Sequence, residues 1–331
     1  MRFSPIIFAL LISLQAYAVE TITVSGLSSG GYFAQQFHVA HSSWVKGAGI
    51  LAAGPYACAK LGLADAFYRC MEVSLGLPEA SDSLKEMQLQ ASLGQVDPLQ
   101  NLRDSKVYLL SGTRDATVSP QVVVALHQLY RSVGVTPEFE RSLQVGHAFP
   151  TLGFGNDCRE ASKPPYISNC GRDIAGEVLE TLLGELRAPI SARANQLYRF
   201  SQARLSGVPN LNAISMANAG VAYVPLNCRP LGAKDCRVHV VFHGCRQTTD
   251  MIGDNFYTKT GYNEWAESND LVVVYPQTIR HNLLGNPRGC WDWWGYAGMP
   301  YYTKASPQIK VVNRIARAFM RGDVKLMKLQ E

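Results

Sequence analysis

The residues with the clearest chemical potential are a serine and the glycines around it. In the sequence GLSSG, Ser28 has Gly26 two residues before it and Gly30 two residues after it. This G-x-S-x-G pattern is typical of a serine nucleophile on a sharp strand-to-helix turn, where larger side chains at the glycine positions would collide with the neighbouring strand or helix. Ser29 has Leu27 two residues before it, so the pattern favours Ser28 as the nucleophile. The alternative is a serine- and glycine-rich loop without chemistry.

Two further side chains could activate such a serine. Asp115 follows the predicted strand 106–111, and His147 follows the predicted strand 136–143. A histidine would accept the serine proton and return it to a leaving alcohol, while the carboxylate would fix the ring tautomer and stabilise its charged form. Taken singly, the two residues also fit a turn aspartate and a surface-loop histidine. Their positions after strands, and the order serine, acid, histidine found in α/β-hydrolases, together favour a catalytic triad.

The elements that must position these residues alternate between strands and helices. Residues 21–24 and 47–53 are predicted as strands, and a helix is predicted from Gly31 onward. Three more helices and a loop closed by cysteines are predicted at residues 81–93, 120–133, 173–186 and 54–70. This alternation predicts a mostly parallel sheet with helices on both faces, in which active groups gather beyond the carboxyl ends of the strands.

The second half of the chain has an unusual order of motifs. An edge strand, two buried strands and a helix are predicted at residues 222–226, 238–242, 271–275 and 306–320. The sequence HGC directly follows the strand at 238–242. α/β-hydrolases present their second oxyanion donor on a similar strand-then-His-Gly turn, but upstream of the nucleophile rather than far downstream.

We interpret this order as a circular permutation, which is sterically easy when chain termini lie close together at the surface. It predicts that Val24 and Phe242 lie in neighbouring strands of one sheet. The backbone N–H groups of Ser29 and Cys245 would then form the oxyanion hole. The alternative is that the HGC turn is incidental and belongs to a separate domain.

Composition sets limits on the class of protein. The chain has 331 residues, of which 47% are hydrophobic, and a net charge of +5. This length is enough for one large α/β domain or two smaller ones, and the hydrophobic fraction indicates that the chain forms a buried apolar core. No run of lysine and arginine could track a phosphate backbone, so we expect no nucleic-acid partner. Beyond the N-terminal leader, no stretch is long and apolar enough to predict a membrane span.

The N-terminus and the cysteines both indicate export. Residues 1–18 have a basic start, a short apolar core and a small-x-small cleavage site, which predicts a signal peptide and a secreted, extracellular or periplasmic protein. An exported chain meets an oxidising compartment, so the eight cysteines are expected to form disulfides. Closeness in sequence favours Cys58–Cys70, Cys158–Cys170 and Cys228–Cys236, which leaves Cys245–Cys290. The sequence has no Cys-x-x-Cys or His-Glu-x-x-His pattern, so neither a metal nor another cofactor is expected.

Five segments in order resemble a known family, the secreted poly(3-hydroxybutyrate) depolymerases. They are GLSSGGYFAQQ, GTRDATVSP, VGHAFPT, FHGCRQ and GCWDWWGY, and the resemblance covers nearly the whole chain after the leader. It is greatest to the single-domain type with a circularly permuted α/β-hydrolase fold. The resemblance implies Ser28 as nucleophile, Asp115 as acid and His147 as base, with the amides of Ser29 and Cys245 in the oxyanion hole. It also implies a tryptophan-lined crevice for the acyl chain, which indicates Trp291, Trp293 and Trp294.

The aromatic cluster itself is compatible with that role. Tryptophans and tyrosines crowd a loop that also contains glycine and proline, and such a loop near the mouth of a site suits an apolar polyester. The alternative is that these rings cover the core. With no second module predicted after the helix at 306–320, residues 19–331 are expected to form a single catalytic domain without a separate polymer-binding module. Adsorption of the protein to a solid polymer would then depend on exposed apolar side chains around the crevice.

The leading hypothesis is therefore a monomeric serine esterase that hydrolyses poly(3-hydroxybutyrate) or its oligomers through an acyl-enzyme on Ser28. A carbohydrate esterase of the feruloyl or acetylxylan type is the nearest alternative. Such enzymes share the serine elbow, which is the strand-to-helix turn around the nucleophile, and the His-Gly turn. A non-catalytic protein that binds a polymer or a glycan is the alternative from another class. The complete set of Ser28, Asp115 and His147 argues against this last possibility.

Overall fold

The computed structural model describes residues 21–160, 162–233 and 235–329, so the predicted leader at residues 1–18 lies outside the described residues. Twelve strands are described, β1 to β12 in chain order: Ile22–Leu27, Val45–Leu51, Lys106–Leu110, Glu138–Glu140, Phe149–Thr151, Asn156–Asp157, Ile167–Asn169, Leu197–Ser201, Ala219–Tyr223, Arg237–Phe242, Leu271–Tyr275 and Leu326–Lys328. Ten α-helices lie within the described ranges, α1 to α10 in chain order: Ser29–Ala40, Leu63–Tyr68, Ala80–Ser92, Pro120–Ser132, Ile174–Leu183, Gln202–Ser206, Thr249–Ile252, Asn255–Lys259, Tyr262–Ser268 and Pro307–Arg321.

Nine strands form one sheet, in the order β12-β8-β9-β11-β10-β1-β2-β3-β4. The six strands from β11 to β4 are mutually parallel, whereas β12, β8 and β9 pair antiparallel at the other side. Strand β1 lies beside β10, and Val24 pairs with Val240 and Gly26 with Phe242. The predicted neighbouring strands and the permuted order of the sheet are thus confirmed.

The sheet is covered by helices on both faces. Alternate residues of the central strands point to opposite sides, so Val240 belongs to the core under α1, α4 and α10, whereas Val241 belongs to the core under α5, α8 and α9. A separate sheet of three short strands, β5, β7 and β6, follows the His147 loop. No helix among the described residues has the length and apolar character that crossing a membrane requires.

Three sequence predictions need correction. The strand predicted at 222–226 is β9, which is an interior strand because β8 and β12 continue the sheet beyond it. The strand predicted at 136–143 is reduced to β4, three residues long, because the chain leaves the edge of the sheet to reach the His147 loop. The predicted loop at 54–70 contains the short helix α2.

All eight cysteines are paired in the pattern that sequence proximity favoured. The disulfides are Cys58–Cys70, Cys158–Cys170, Cys228–Cys236 and Cys245–Cys290. The first three close short loops of 8 to 12 residues, whereas the fourth joins positions 45 residues apart. The fourth disulfide therefore fixes the loop after β10 against residues 290–302, the aromatic loop that precedes α10.

Candidate active site

Ser28 lies at the sharp turn between β1 and α1. Its backbone has φ 56° and ψ −123°, a strained conformation for a residue other than glycine. The Ser28 N–H donates to the Leu51 carbonyl at 2.9 Å, and the Ser28 carbonyl accepts from the Tyr32 N–H at 2.9 Å. The side chain is half-buried. These bonds hold the strained turn, so the hydroxyl is presented at the carboxyl end of a central strand.

The two glycines of the motif are required by close backbone approaches. A Cβ atom on Gly26 would lie 2.3 Å from the Gly30 carbonyl oxygen, and one on Gly30 would lie 2.3 Å from the Phe242 carbonyl oxygen. Neither separation is possible for real atoms, and the obstructing atoms belong to the backbone. The collisions that the sequence predicted for larger side chains are therefore confirmed, and the second glycine lets α1 approach β10.

The neighbouring serine has a different role. Ser29 is fully buried, and its Oγ accepts a hydrogen bond from the Trp291 N–H at 3.3 Å. This contact ties the first turn of α1 to the aromatic loop. Because its hydroxyl is enclosed and engaged, Ser29 is a poor candidate for nucleophile, in agreement with the preference for Ser28.

Asp115 and His147 meet across two loops that follow β3 and β4. Asp115 Oδ2 lies 2.8 Å from His147 Nδ1. The other carboxylate oxygen, Oδ1, accepts the N–H groups of Thr117 at 2.8 Å and Val118 at 2.9 Å, which fixes the carboxylate within its own turn. With Nδ1 directed at Asp115, Nε2 is the ring nitrogen that remains for proton transfer.

A cavity of about 140 Å³ unites these loops. Its wall includes Ser28, His147 and Cys245, from three separate parts of the chain. Residues that the sequence did not assign to the site also line it: Leu27, Tyr32, Met71, Thr117, Val118, Ser162, Tyr166, Gly244, Arg246, Gln247 and Arg288. Several of these lie next to the motifs, and Gln247 and Arg246 stand within the FHGCRQ sequence itself.

The turn after β10 lies against the serine elbow. A Cβ atom on Gly244 would lie 3.4 Å from the Ser28 Cβ and 3.2 Å from the Leu27 carbonyl oxygen. Among the described residues, the Cys245 N–H donates to no backbone carbonyl in the turns and loops. Ser29 is the first residue of α1, where an N–H has no acceptor within the helix. Both N–H groups are therefore free to donate to an oxyanion beside Ser28, although only Cys245 itself lines the cavity.

Two buried side chains hold the Gly244–Cys245 peptide in place. Gln247 Oε1 accepts the Gly244 N–H at 2.7 Å, and Gln247 Nε2 donates to the Tyr166 carbonyl at 3.0 Å. His243 Nδ1 lies 2.8 Å from the Gly244 carbonyl oxygen and must carry a hydrogen there, since a carbonyl only accepts. Burial lowers the pKa of His243 to about 4, so the ring is neutral near pH 7. The Gly244 carbonyl is thereby held on the side of the peptide opposite the Cys245 N–H.

The three predicted tryptophans occupy three different environments. Trp293 lines the cavity and stacks on Tyr32, with ring centroids 4.2 Å apart and planes 13° from parallel. Trp291 is fully buried and packs on Phe33 with centroids 4.6 Å apart, so it supports the core rather than the cavity. Trp294 is half-buried, packs edge-on against Trp293 and is absent from the cavity wall. The structure thus keeps one of the three, Trp293, as a candidate substrate contact.

A buried aspartate organises the aromatic loop. Asp292 accepts the backbone N–H groups of Trp294, Gly295, Tyr296 and Ala297 at 2.7 to 3.3 Å. Burial raises the pKa of Asp292 to about 6, against the opposing effect of these four donors. The Asp292 carboxylate therefore stabilises the backbone conformation of the loop that carries Trp293.

Comparison with known proteins gives a consistent result. No protein-family model matches the chain. It is 39% identical over 305 residues to a poly(3-hydroxybutyrate) depolymerase of Delftia acidovorans, covering 91% of this chain and 60% of that protein. It is 36% identical over 309 residues to a polyhydroxybutyrate depolymerase of Talaromyces funiculosus, covering 86% of each chain. The chain thus spans about three fifths of the length of the bacterial relative.

A solved structure adds a similarity in three dimensions. The structure of a PHB depolymerase with a serine-to-alanine substitution, complexed with an R3HB trimer, superposes with a TM-score of 0.84 at 32% identity. The match covers 93% of this chain and 98% of that chain. The mostly parallel sheet with helices on both faces is therefore the fold of a solved relative.

Proposed function

This chain belongs to the polyhydroxybutyrate depolymerase family, and from that premise we propose that it is a serine esterase that hydrolyses poly(3-hydroxybutyrate) or its oligomers. The observation that carries the proposal is the joining of Ser28, His147 and Cys245 in one cavity, with Asp115 hydrogen-bonded to the far side of the imidazole. The relative that binds an R3HB trimer carries a serine-to-alanine substitution, which supports a serine mechanism in the family.

In the proposed mechanism, Ser28 Oγ attacks the ester carbonyl carbon while His147 Nε2 takes its proton. Negative charge develops on the carbonyl oxygen, where the N–H groups of Ser29 and Cys245 donate hydrogen bonds. The tetrahedral intermediate collapses to a 3-hydroxyacyl ester of Ser28, and His147 returns the proton to the leaving alcohol. Water then attacks the acyl-enzyme with His147 again as base, and the carboxylic acid leaves. Asp115 stabilises the charged imidazole in both steps.

A direct test compares the wild type with Ser28→Ala on 3-hydroxybutyrate trimer and on polymer film. We expect the variant to lose nearly all activity, and labelling by a fluorophosphonate to disappear with it. The Ser29→Ala variant is the matched control, because its hydroxyl is buried, and it should keep the label. Equal turnover by wild type and Ser28→Ala would contradict the serine mechanism.

Substrate choice separates this proposal from its alternatives. A carbohydrate esterase of the feruloyl or acetylxylan type would hydrolyse its own esters faster than hydroxybutyrate trimers. A non-catalytic binding protein would take no fluorophosphonate label at Ser28. Rates on the three ester classes, measured on one preparation, decide among these functions.

We further propose a contact surface for solid polymer in the segment 61–77. Large apolar side chains in this segment are exposed: Leu61, Leu63, Tyr68, Leu75 and Leu77. The segment also contains Met71, which lines the cavity. An exposed apolar patch beside a catalytic cavity suits adsorption to an apolar solid.

The double variant Leu61→Ser and Leu75→Ser tests this surface. We expect binding to polymer film to weaken several-fold, while kcat/KM on a soluble hydroxybutyrate ester changes little. Leu226→Ser is the control, since Leu226 is also exposed but lies in the loop after β9. An unchanged adsorption isotherm would argue against the segment as a contact surface.

We also propose that the protein is secreted after removal of residues 1–18, and that residues 19–331 act as one monomeric catalytic domain. The four disulfides support an oxidising destination. Mass spectrometry of the exported protein gives the cleavage position, and sedimentation gives the oligomeric state.

A further inference from the structure

Two arginines form part of the wall of the catalytic cavity. Arg246 and Arg288 line it together with Ser28 and His147, and both arginines are exposed to solvent. The lining contains no aspartate or glutamate. Within the described residues, no carboxylate lies within ion-pair distance of either guanidinium. A cavity proposed to accept a neutral polyester therefore carries two arginines that pair with no carboxylate in the part of the chain that the structure describes.

The backbone fixes the two arginines side by side. The Arg246 N–H donates to the Arg288 carbonyl at 2.7 Å, and the disulfide between Cys245 and Cys290 joins the same two segments. Arg246 has φ 64°, in the left-handed region that a non-glycine residue occupies only when its surroundings hold it there. Arg246 Nη1 donates to the Tyr166 hydroxyl at 3.2 Å. The two backbone segments and the Arg246 side chain are thus anchored by covalent and hydrogen-bonded contacts.

The chemistry of the substrate suggests what the cations bind. An oligomer of 3-hydroxyacids is neutral along its length and carries one negative charge, on its terminal carboxylate. Arginine is the side chain best suited to hydrogen-bond a carboxylate through two parallel N–H donors. We propose that Arg246 and Arg288 bind the terminal carboxylate of a hydroxyacid oligomer or of a polymer chain end. This inference rests on the proposed function and specifies the substrate end that the site selects.

The polarity of the polyester then defines which product the arginines hold. Hydrolysis of any ester in the chain breaks the bond between an acyl carbon and the oxygen of the following unit. The acyl part stays on Ser28, and the original carboxyl end departs with the alcohol. Arg246 and Arg288 therefore bind the leaving segment, and short carboxylate-terminated products should inhibit by occupying the same position.

The experiment compares two forms of one ligand, the 3-hydroxybutyrate trimer as free acid and as methyl ester. Binding is measured by calorimetry on Ser28→Ala protein, alone and combined with Arg246→Gln, Arg288→Gln or both. We expect the free acid to bind about tenfold tighter than the methyl ester, as two partly exposed charge-assisted contacts allow. The double arginine variant should bind both forms with equal affinity, because only its affinity for the free acid falls. Arg204→Gln, an exposed arginine in α6, is the matched control and should keep the tenfold ratio.

Salt and turnover provide two further readouts. The preference for the acid should shrink as ionic strength rises, because exposed charges are screened, whereas binding of the methyl ester should not change. Equal affinity for acid and ester in the Ser28→Ala protein, or a ratio that survives the double substitution, would overturn the inference. Failure of the proposed function is a separate outcome, since it would appear as no hydrolysis of the methyl ester by protein with Ser28 intact.

Discussion

At the scale of single residues, Asp115 provides the sharpest test of the proposed chemistry. Asp115→Asn keeps the shape of the side chain and can keep the two backbone N–H bonds through Oδ1, but it replaces the acceptor that faces His147. The imidazole would then favour the wrong tautomer. We expect kcat on a soluble hydroxybutyrate ester to fall on the order of 10³- to 10⁴-fold with little change in the unfolding free energy.

Asp104→Asn is the matched control for that change. Asp104 is exposed and precedes β3, whereas Asp115 follows it, so its loss should leave kcat unaltered. A similar kcat for Asp115→Asn and wild type would show that the acid of the site lies elsewhere.

The close approach at Gly30 leads to a stability prediction. In Gly30→Ala the new methyl group would meet the Phe242 and His243 carbonyl oxygens at 2.3 and 2.5 Å, so α1 must move away from the turn after β10. We expect a loss of about 2–3 kcal/mol in unfolding free energy, together with lower activity because the proposed oxyanion donors separate. Urea unfolding measures the first effect and ester hydrolysis the second.

Gly153→Ala controls for the loss of glycine itself, because a Cβ atom at that exposed position would meet nothing within 4 Å. Equal unfolding free energies for Gly30→Ala and Gly153→Ala would mean that the elbow relaxes more easily than its contacts suggest.

Residue types predicted the chemistry better than they predicted side-chain direction. The spacing of glycines around Ser28 predicted a constraint that the backbone contacts confirm, because the motif encodes a local geometry. The sequence WDWW carried no comparable information. An irregular loop has no fixed period, so nothing in it indicated that Trp291 would point into the core and Trp293 toward the cavity.

At the scale of elements, the disulfide between Cys245 and Cys290 has both structural and proposed functional consequences. Replacing both cysteines by alanine removes a closure of 45 residues, which costs about 4 kcal/mol in the chain-entropy model. It also frees the turn that presents the Cys245 N–H. We expect kcat to fall about tenfold as that donor becomes less well placed.

The pair Cys228 and Cys236 is the internal control. It closes only 8 residues, so its removal should cost about 2.5 kcal/mol and leave kcat unchanged. Thermal unfolding and ester hydrolysis on both double variants test the contrast. Equal kcat values for the two would exclude a positioning role for the longer closure.

Long, strongly patterned elements were predictable, and short elements dependent on neighbours were not. The strand at 271–275 was predicted with its observed limits because five consecutive apolar residues are buried on both faces. The sequence predicts an edge strand at 222–226 because β8 and β12, at 197–201 and 326–328, are short and give weak patterns. Their pairing comes from tertiary contact, which no local pattern contains.

At the scale of the whole molecule, the proposed catalytic groups gather where strands β10 and β1 pair in the permuted sheet. Strands β10 and β1 are neighbours in the sheet although more than 200 residues separate them along the chain. The turn after β1 carries Ser28, and the turn after β10 carries the Gly244–Cys245 peptide. Parallel pairing brings their carboxyl ends together, so the sheet assembles the proposed nucleophile and oxyanion donor whatever the order of the segments.

Burial of histidines makes the fold as a whole sensitive to acid. Burial lowers the pKa of His38 and His239 to about 3 and of His41 and His243 to about 4. Near pH 7.5 and above these rings are neutral in nearly all folded and unfolded chains, whereas at about pH 6.5 half of the rings of the unfolded chain are charged. Between pH 6.5 and 4 the unfolded chain binds protons that the folded one does not, so stability is lost as pH falls. Asp292 acts in the opposite sense, since its raised pKa of about 6 lets the folded chain bind one proton first.

Among these five groups, four protons bound by the unfolded chain less one bound by the folded chain give a net difference of about three protons, which predicts a steep decline in stability. Each proton contributes about 1.4 kcal/mol per pH unit, so the unfolding free energy should fall by up to about 4 kcal/mol per unit below pH 6. Urea unfolding at pH 7.5, 6.5 and 5.5 measures the slope. In His239→Gln one such proton is removed, and the slope should decrease by about 1.4 kcal/mol per unit even though the variant is less stable at pH 7.5. A stability independent of pH across this range would show that the buried rings accept protons without unfolding.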